Sequence, residues 1–476
     1  MRLPISKISP FVFAIFLALG WLPTADAQTW QDSVDYTKLL NEVGAGLEDG
    51  TGIPLSMVEA DEINDNPNVI VSYLPDPNGF GLTTKNFTDG SGVNNPANDY
   101  SGHASIVARW FFGDMSIAQG ETDMTVYENN DYIDQQLGRV TNNDPVDQSA
   151  FKVQNHSWAG SYGATAPQIA AAEDALARLD YTINRDGLSV AVGLANSTAA
   201  LPQLMGQGYN AITVGRSDGG SSQGLTTIYG AGRVKPDIVT DTTTTSEGTA
   251  RVSSVLAVLH QQAVNEGNAD ASRPEMMKSI LMAGATKHEF PTWDRTTTRP
   301  LDDIFGAGEL NIYNSYKIIE AGETDGSLSV PAGATIDFRG YDYGETIDSG
   351  SPLYYNLEVG PDGLEDVTFN LTWNIDVTDG NVDINIFDPV TSLANMSLEI
   401  FDINDLVNPI DQSLSTVDNV EHLYFSTLGA GLYTIKVSTD MTTEFGLAWY
   451  AVPEPGSLVF LGFGSVAVAL GRRRRA

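Results

Sequence analysis

Short apolar segments alternate along this 476-residue chain with segments whose apolar residues recur at helical intervals. This alternation constrains the fold more than any other feature of the sequence. Between residues 166 and 181 the apolar side chains recur at intervals of three and four, which predicts a helix packed by one face. The shorter apolar segments predict strands at residues 50–59, 153–160, 188–193, 211–215 and 234–239. Alternating strands and helices predict an α/β fold, a parallel sheet with helices on both faces.

Polar residues follow several of these strands at their carboxyl ends. Glu59 ends the first, Asn196 lies just beyond the third, and a Thr-rich loop leads from the last to Ser246. Functional groups gather at this edge of a parallel sheet, so these residues are candidates for one site. His103 is flanked by Gly102 and Ala104 at the start of a small-residue helix, which leaves its ring accessible, and these neighbours fit a functional and a structural histidine equally well.

Ser246 stands where a segment of helical spacing begins. The backbone N–H groups and dipole of a helix start favour negative charge on a nearby oxygen, which suits a nucleophile. Serine is also a common helix N-cap, so the position by itself leaves both interpretations open.

Composition excludes several classes of protein. The chain has no cysteine, so neither a disulfide nor a thiolate nucleophile is available. Its formal net charge of -36 argues against nucleic-acid binding and suits an exported bacterial protein that meets divalent cations.

Both ends of the chain carry targeting patterns. Arg2 and Lys7, an apolar run at 11–19 and the small residues at 25–27 predict a signal peptide over residues 1–27, cleaved before Gln28. At the other end, residues 452–476 combine a Pro-Glu-Pro motif, an apolar run at 457–470 and four arginines at 472–475. That tail resembles the PEP-CTERM sorting signal of Gram-negative bacteria, which implies a membrane anchor before sorting and processing by an exosortase-type enzyme. The expected location is the periplasm or the cell surface.

The motif order of the first half resembles that of subtilisin-like serine peptidases, over residues 45–321. The elements that carry the resemblance are Glu59 after a strand, Gly-His-Ala-Ser at 102–105, Asn-His-Ser-Trp-Ala-Gly at 155–160, Asn196, Lys-Pro-Asp-Ile-Val at 235–239, and Gly-Ala-Gly at 306–308. The resemblance implies a catalytic Glu59–His103–Ser246 triad and Asn196 in the oxyanion hole. It also implies a polypeptide substrate that pairs with Ser157, Trp158, Ala159 and Gly160.

Two departures from the family pattern bear on activity. Glu59 stands where the family has aspartate, one methylene shorter, and Asp61 lies outside the expected position. In the nucleophile block, one register makes Ser246 the nucleophile, and the other places Ala250 there and makes the protein inactive. The lead-in at residues 28–44 is also too short for the large propeptide common in the family.

Residues 323–450 show alternating apolar and polar residues with Asp, Asn and Gly between them, which predicts an antiparallel β-sandwich of seven to nine strands. Strands are expected at 367–373, 382–387, 397–401 and 433–437. This region resembles the pre-peptidase C-terminal domain of secreted peptidases. The carboxylates of Asp376, Asp379, Asp383 and Asp402 could bind calcium, although their spacing matches no known loop and solvated acidic turns explain them as well. No other cofactor or metal site is indicated.

Two functions follow from these patterns. The first is an exported subtilisin-like serine endopeptidase. The alternative is a catalytically inactive relative that serves as a binding or exopolysaccharide-matrix module at the cell surface.

Overall fold

The computed structural model describes residues 29–63, 70–92, 99–139, 144–330 and 335–453. The helices are α1 (Trp30–Ser33), α2 (Tyr36–Val43), α3 (Gly102–Phe111), α4 (Asn129–Asp131), α5 (Ala166–Asp186), α6 (Thr245–Glu266), α7 (Pro274–Gly284) and α8 (Ile312–Ala321). Single helical turns of other types lie at Gly44–Gly46, Tyr132–Gln136 and Asp270–Ser272.

The strands of the first half are β1 (Leu55–Glu59), β2 (Glu62–Ile63), β3 (Ile70–Val71), β4 (Asn86–Asp89), β5 (Asp123–Glu128), β6 (Val153–His156), β7 (Ser189–Gly193), β8 (Ile212–Arg216), β9 (Gly224–Leu225), β10 (Val234–Lys235) and β11 (Ile238–Thr240). Seven of them form one parallel sheet in the order β11-β8-β7-β6-β1-β5-β4. The short pairs β9–β10 and β2–β3 lie outside it.

Helices cover this sheet on both faces, as alternate residues of its strands show. Met57 packs into a core with α3, α6, α7 and α8, whereas its neighbour Val58 packs into a second core with α5. All five residues of β1 are buried, as expected of a central strand between two helical layers. The predicted α/β fold is therefore confirmed.

The strands of the second half are β12 (Thr335–Ile336), β13 (Arg339–Ile347), β14 (Leu353–Val359), β15 (Leu364–Thr372), β16 (Asp376–Asp379), β17 (Pro389–Ser392), β18 (Met396–Asp402), β19 (Asp411–Ser413), β20 (Val420–Leu428), β21 (Gly431–Thr439) and β22 (Thr443–Pro453). Two sheets, β12-β14-β21-β18-β19 and β13-β22-β15-β20, enclose a core of their own. Apart from the parallel pair β12–β14, their strands pair antiparallel, so the predicted sandwich is confirmed.

Two predicted strands are wrong. Residues 382–387 form a loop between β16 and β17, because Val382 and Ile384 are 103% and 88% exposed and have no sheet to pack against. The segment 234–239 is divided by a cis peptide bond between Lys235 and Pro236. Its first part, β10, pairs with β9, and only its second part, β11, joins the main sheet.

The sandwich packs against the helical layer of the first half. The α7 backbone touches β22 so closely that a Cβ atom on Gly446 would lie 2.7 Å from Met276 Cα. Ser279 Oγ donates to the carbonyl of Asn370 at 2.6 Å, and Thr372 Oγ1 donates to that of Glu275 at 2.5 Å. The two halves therefore share a buried, hydrogen-bonded contact.

Candidate active site

Three side chains from three elements form one hydrogen-bonded line at the carboxyl edge of the parallel sheet. Glu59 is the last residue of β1, His103 is the second of α3, and Ser246 is the second of α6. Glu59 Oε2 lies 2.7 Å from His103 Nδ1, and His103 Nε2 lies 3.0 Å from Ser246 Oγ. This is the geometry in which a carboxylate orients an imidazole and the imidazole faces a hydroxyl.

The extra methylene of Glu59 does not break this line. Its side chain is fully buried, and Oε2 reaches the histidine at ordinary hydrogen-bond distance. The other oxygen, Oε1, is buried and has no hydrogen-bond partner among the described residues. All of the carboxylate's observed hydrogen bonding is therefore directed at His103.

The electrostatics of the pair suit a base. The hydrogen bond to Glu59 raises the pKa of His103, and it outweighs the burial that would lower it. Burial raises the pKa of Glu59, against the opposing effect of His103. The charge of Glu62 also raises the pKa of His103. The Glu62 carboxylate accepts a 2.7 Å hydrogen bond from the Gly102 N–H.

Helix α6 presents Ser246 in its first turn. Thr244 is the N-cap, and its side chain accepts from the Glu247 N–H at 3.3 Å, so capping falls to Thr244 and leaves the Ser246 hydroxyl for other contacts. Ser246 Oγ can donate to the Ser157 carbonyl at 3.2 Å as well as to His103. Ser157 Oγ in turn donates to the Ser246 carbonyl at 3.0 Å. These two hydrogen bonds hold the first turn of α6, with Ser246, against the residue that follows β6.

The side chain of Asn196 is oriented by two hydrogen bonds from Thr245, the first residue of α6. Its Oδ1 accepts from the Thr245 N–H at 2.7 Å and from Thr245 Oγ1 at 3.1 Å. These bonds leave the Nδ2 amide group to donate elsewhere. The Ser246 N–H has no hydrogen-bond acceptor within the described part of the chain. The Asn196 amide and the Ser246 N–H are therefore two donors, close to the first turn of α6, that are available to a negatively charged oxygen.

Residues 157–160, interpreted as a substrate edge, are partly engaged by the chain itself. The Trp158 side chain is only 7% exposed and packs into the α5 core. The Gly160 carbonyl accepts from the Leu204 N–H at 3.0 Å. Ala159 is exposed and is the accessible part of this edge.

Ala250 lies one turn further along α6 and is fully buried in the core. The structure brings Ser246 to His103, and Ala250 has no exposure toward the site. Asp61 is part-buried beyond the end of β1, and the pKa of its carboxyl is raised by burial and by Glu128.

Two contributors to this site escaped the sequence interpretation. Thr245 fixes Asn196, and Glu62 fixes the first N–H of α3. The capping of α6 by Thr244 was detectable, because a threonine three residues before a glutamate is a capping-box pattern.

The four carboxylates considered for calcium are not gathered. Asp379 and Asp383 accept hydrogen bonds from backbone N–H groups of their own loop. Within the described ranges, the acidic groups that place ligand atoms within 4.8 Å of one another are Glu323, Asp325 and Asp342. Calcium binding by the four carboxylates stays a prediction.

Comparison with known proteins identifies the tail. Residues 451–475 match the PEP-CTERM protein-sorting motif, which confirms the resemblance seen in the sequence and indicates export and sorting in a Gram-negative bacterium. No curated protein sequence matches the chain.

Solved structures similar to the chain include two proteases and one β domain. The patellamide maturation protease PatA has a TM-score of 0.35 and 15% identity, covering 58% of this chain and 98% of that chain. The epidermin leader peptide processing serine protease from Staphylococcus aureus has a TM-score of 0.41 and 13% identity, and the match covers 61% of this chain and 81% of that chain. The pre-peptidase C-terminal domain of a Bacillus anthracis collagenase has a TM-score of 0.18 and 12% identity, and the match covers 24% of this chain and 91% of that chain. Likenesses this distant carry no information about activity.

The apolar run at residues 457–470 and the predicted signal peptide, residues 1–27, lie outside the described residues. Among the helices that the structure describes, none combines the length and apolar character needed to span a membrane.

Proposed function

We propose that this chain is an exported serine endopeptidase that cleaves polypeptides through Glu59, His103 and Ser246. The observation that supports it most directly is the continuous line Glu59 Oε2–His103 Nδ1 and His103 Nε2–Ser246 Oγ, at 2.7 and 3.0 Å. A carboxylate, an imidazole and a hydroxyl in that order are the parts of a nucleophilic triad.

In the first half of the reaction, Ser246 Oγ bonds to the carbonyl carbon of a peptide while His103 Nε2 takes its proton. Glu59 accepts the Nδ1–H and stabilises the imidazolium that forms. Asn196 Nδ2 and the Ser246 N–H donate to the oxyanion. The C–N bond then breaks, and His103 gives its proton to the leaving amine.

In the second half, water replaces the amine. His103 Nε2 takes a proton from the water as its oxygen attacks the ester carbon, and the Ser246 oxygen leaves with that proton. The free carboxylic acid is the product and the site returns to its starting state.

The polypeptide would lie beside residues 157–160, where the exposed backbone at Ala159 is accessible. The sorting motif implies that an exosortase-type enzyme processes the tail, which supports a location of the peptidase in the periplasm or at the cell surface.

Labelling with a fluorophosphonate tests the proposal. The probe forms a covalent bond only with an activated serine, so we expect the folded full-length protein to be labelled and the Ser246→Ala variant to remain unlabelled. Ser351→Ala, which changes an exposed serine in the sandwich, is the matched control and should label like the parent.

Absence of labelling in the folded parent would contradict the proposal. It would favour the inactive alternative, a binding or matrix module beside the exopolysaccharide. Equal labelling of the parent and the Ser246→Ala variant would place any reactive serine elsewhere.

A further inference from the structure

A cavity of about 570 Å³ is lined in part by residues at the carboxyl edge of the parallel sheet, the edge that also carries the triad. Ser217 and Asp218, which follow β8, and Asp241, which follows β11, form part of its wall. Strands β8 and β11 lie at the end of the sheet away from β4, and β6, which leads to residues 157–160, lies on the other side of β7. The cavity and the expected substrate edge therefore lie at different positions along this edge of the sheet, with the end of β7 between them.

The lining of the cavity is strongly acidic. Its carboxylates come from five different segments, and its one imidazole is that of His288. The six carboxylates are those of Asp32, Asp35, Asp218, Asp241, Glu289 and Glu309. Asp218 pairs with Arg216 and Glu289 with His288. Arg251 donates to the backbone carbonyl of Asp241, whereas the carboxylates of Asp241 and Glu309 form no ion pair among the described residues.

Glu309 is the unusual member of this set. It is only 7% exposed, yet it lines the cavity close to the charge of a second carboxylate, Asp241. Burial and the charge of Asp241 raise the pKa of Glu309 to about 7, although the Asp241 N–H and the Ser217 hydroxyl lie close to it. Two carboxylates so placed are compensated when a cation binds between them.

The shape of the lining favours an organic cation over a metal ion. In the described part of the chain, these carboxylates do not bring three ligand atoms within 4.8 Å, as a metal ion would need. A cavity of this size instead accommodates a long side chain whose charged end reaches the Asp241–Glu309 pair.

We propose that the cavity is a subsite that binds a lysine or arginine side chain of the polypeptide substrate, on the side of the scissile bond away from residues 157–160. This rests on the proposed function, because only a substrate lying across Ser246 would reach the cavity. Asp241 is joined to α6 by the short segment 242–244, so a residue near the scissile bond can contact both. The subsite would select substrates with a basic residue at one fixed position.

Binding is the first test, because it needs no turnover. The full chain carrying Ser246→Ala is titrated calorimetrically with acetyl-tetralysine amide and with acetyl-tetraglutamine amide at pH 8 and low salt. We expect the lysine peptide to bind at least about tenfold more tightly. Addition of Glu309→Gln and Asp241→Asn should weaken its binding by about tenfold.

The matched control removes the same charge elsewhere. Glu358→Gln with Asp405→Asn changes two exposed carboxylates of the sandwich and should alter the affinity by less than twofold. Equal weakening by the two double variants would overturn the proposal, since it would assign binding to the general negative charge of the protein. No preference for lysine over glutamine would overturn it as well. Glu309→Gln alone, which keeps the shape of the side chain, supplies the test if the double variant fails to fold.

Cleavage then locates the subsite. If Ser246 is labelled by the fluorophosphonate, a peptide library cleaved by the parent should show lysine and arginine enriched at one position beyond the scissile bond, and Glu309→Gln should remove the enrichment. Unaltered enrichment in that variant would overturn the subsite and leave the peptidase function standing. Conversely, a protein that binds the lysine peptide through Glu309 and is not labelled would overturn the peptidase function and the subsite's role in cleavage.

Discussion

At the scale of single residues, the protonation of His103 determines when the site can work. A base must be neutral to accept a proton, and the hydrogen bond to Glu59 raises the pKa of His103 above the 6.5 of a free imidazole. We therefore expect the rate of fluorophosphonate labelling to fall as the pH drops through a midpoint above 6.5. The measurement is the second-order labelling rate between pH 5 and 9.

Glu59→Gln is the control for this assignment. An amide cannot favour the imidazolium as a carboxylate does, so the midpoint should move to lower pH, and the rate at high pH should fall by at least about a hundredfold. A midpoint that does not move in the variant would mean that another group titrates.

The candidate site was largely predictable from sequence at this scale, because strand ends and helix starts define which residues share an edge. The order Glu59, His103, Asn196 and Ser246, together with the resemblance to subtilisin-like peptidases, predicts these residues, with Ala250 as the alternative to Ser246. The choice between Ser246 and Ala250 was not available from letters alone, since it depends on where α6 begins. The Thr244 cap is a local pattern, but the contact of Thr245 with Asn196, which holds the start of α6, joins residues 49 positions apart in the sequence and appears only in the structure.

At the scale of elements, the Lys-Pro-Asp segment shows where sequence patterns are misleading. It suggests one continuous strand, but its charged residues form a buried cluster instead. Asp237 Oδ2 accepts from the Thr213 N–H at 2.7 Å and from Lys235 Nζ at 2.8 Å, and Lys278 Nζ lies 3.4 Å from Oδ1. Lys278 comes from α7, which no local pattern could associate with this strand. The loop at 382–387 was misassigned for a related reason, because alternation alone does not show whether a neighbouring strand exists.

The contact between α7 and β22 supplies a prediction at this scale. Gly446 has no room for a side chain, since its Cβ would lie 2.7 Å from the backbone of Met276, which cannot move as a side chain can. Gly446→Ala should lower the free energy of unfolding by about 1–3 kcal/mol, as measured by urea denaturation.

Gly429→Ala is the matched control for that substitution. Gly429 is exposed, and a Cβ there meets nothing within 4 Å, so its effect should be within about 0.5 kcal/mol. Equal effects at the two positions would mean that the α7–β22 contact is looser than the structure indicates.

At the scale of the whole molecule, the sandwich is part of the folded body that carries the site. The core under α3, α6, α7 and α8 includes Tyr341, Tyr343, Val420, Ala448 and Tyr450 from the sandwich. Arg178 of α5 reaches across to the carbonyl of Phe387 at 2.8 Å. Removal of the sandwich would expose those apolar faces to water and leave buried donors without partners.

The sorting motif begins within the last strand of the sandwich, β22. It overlaps the last residues of β22, which pairs with β13 on one side and β15 on the other. A cut after Pro453 would preserve β22, whereas a cut within it would remove the strand that contacts α7. The position of the motif is therefore compatible with processing that keeps the folded body intact.

Cooperative unfolding is the expected consequence. Because the sandwich contributes side chains to the core under α3, α6, α7 and α8, calorimetry of the full chain should show a single transition that coincides with the loss of tryptophan fluorescence. A chain ending at Gly322 should unfold at a lower temperature or aggregate, since the faces of α7 and α8 that the sandwich covers would be exposed. Two separate transitions, or a truncated chain as stable as the parent, would show that the halves fold independently.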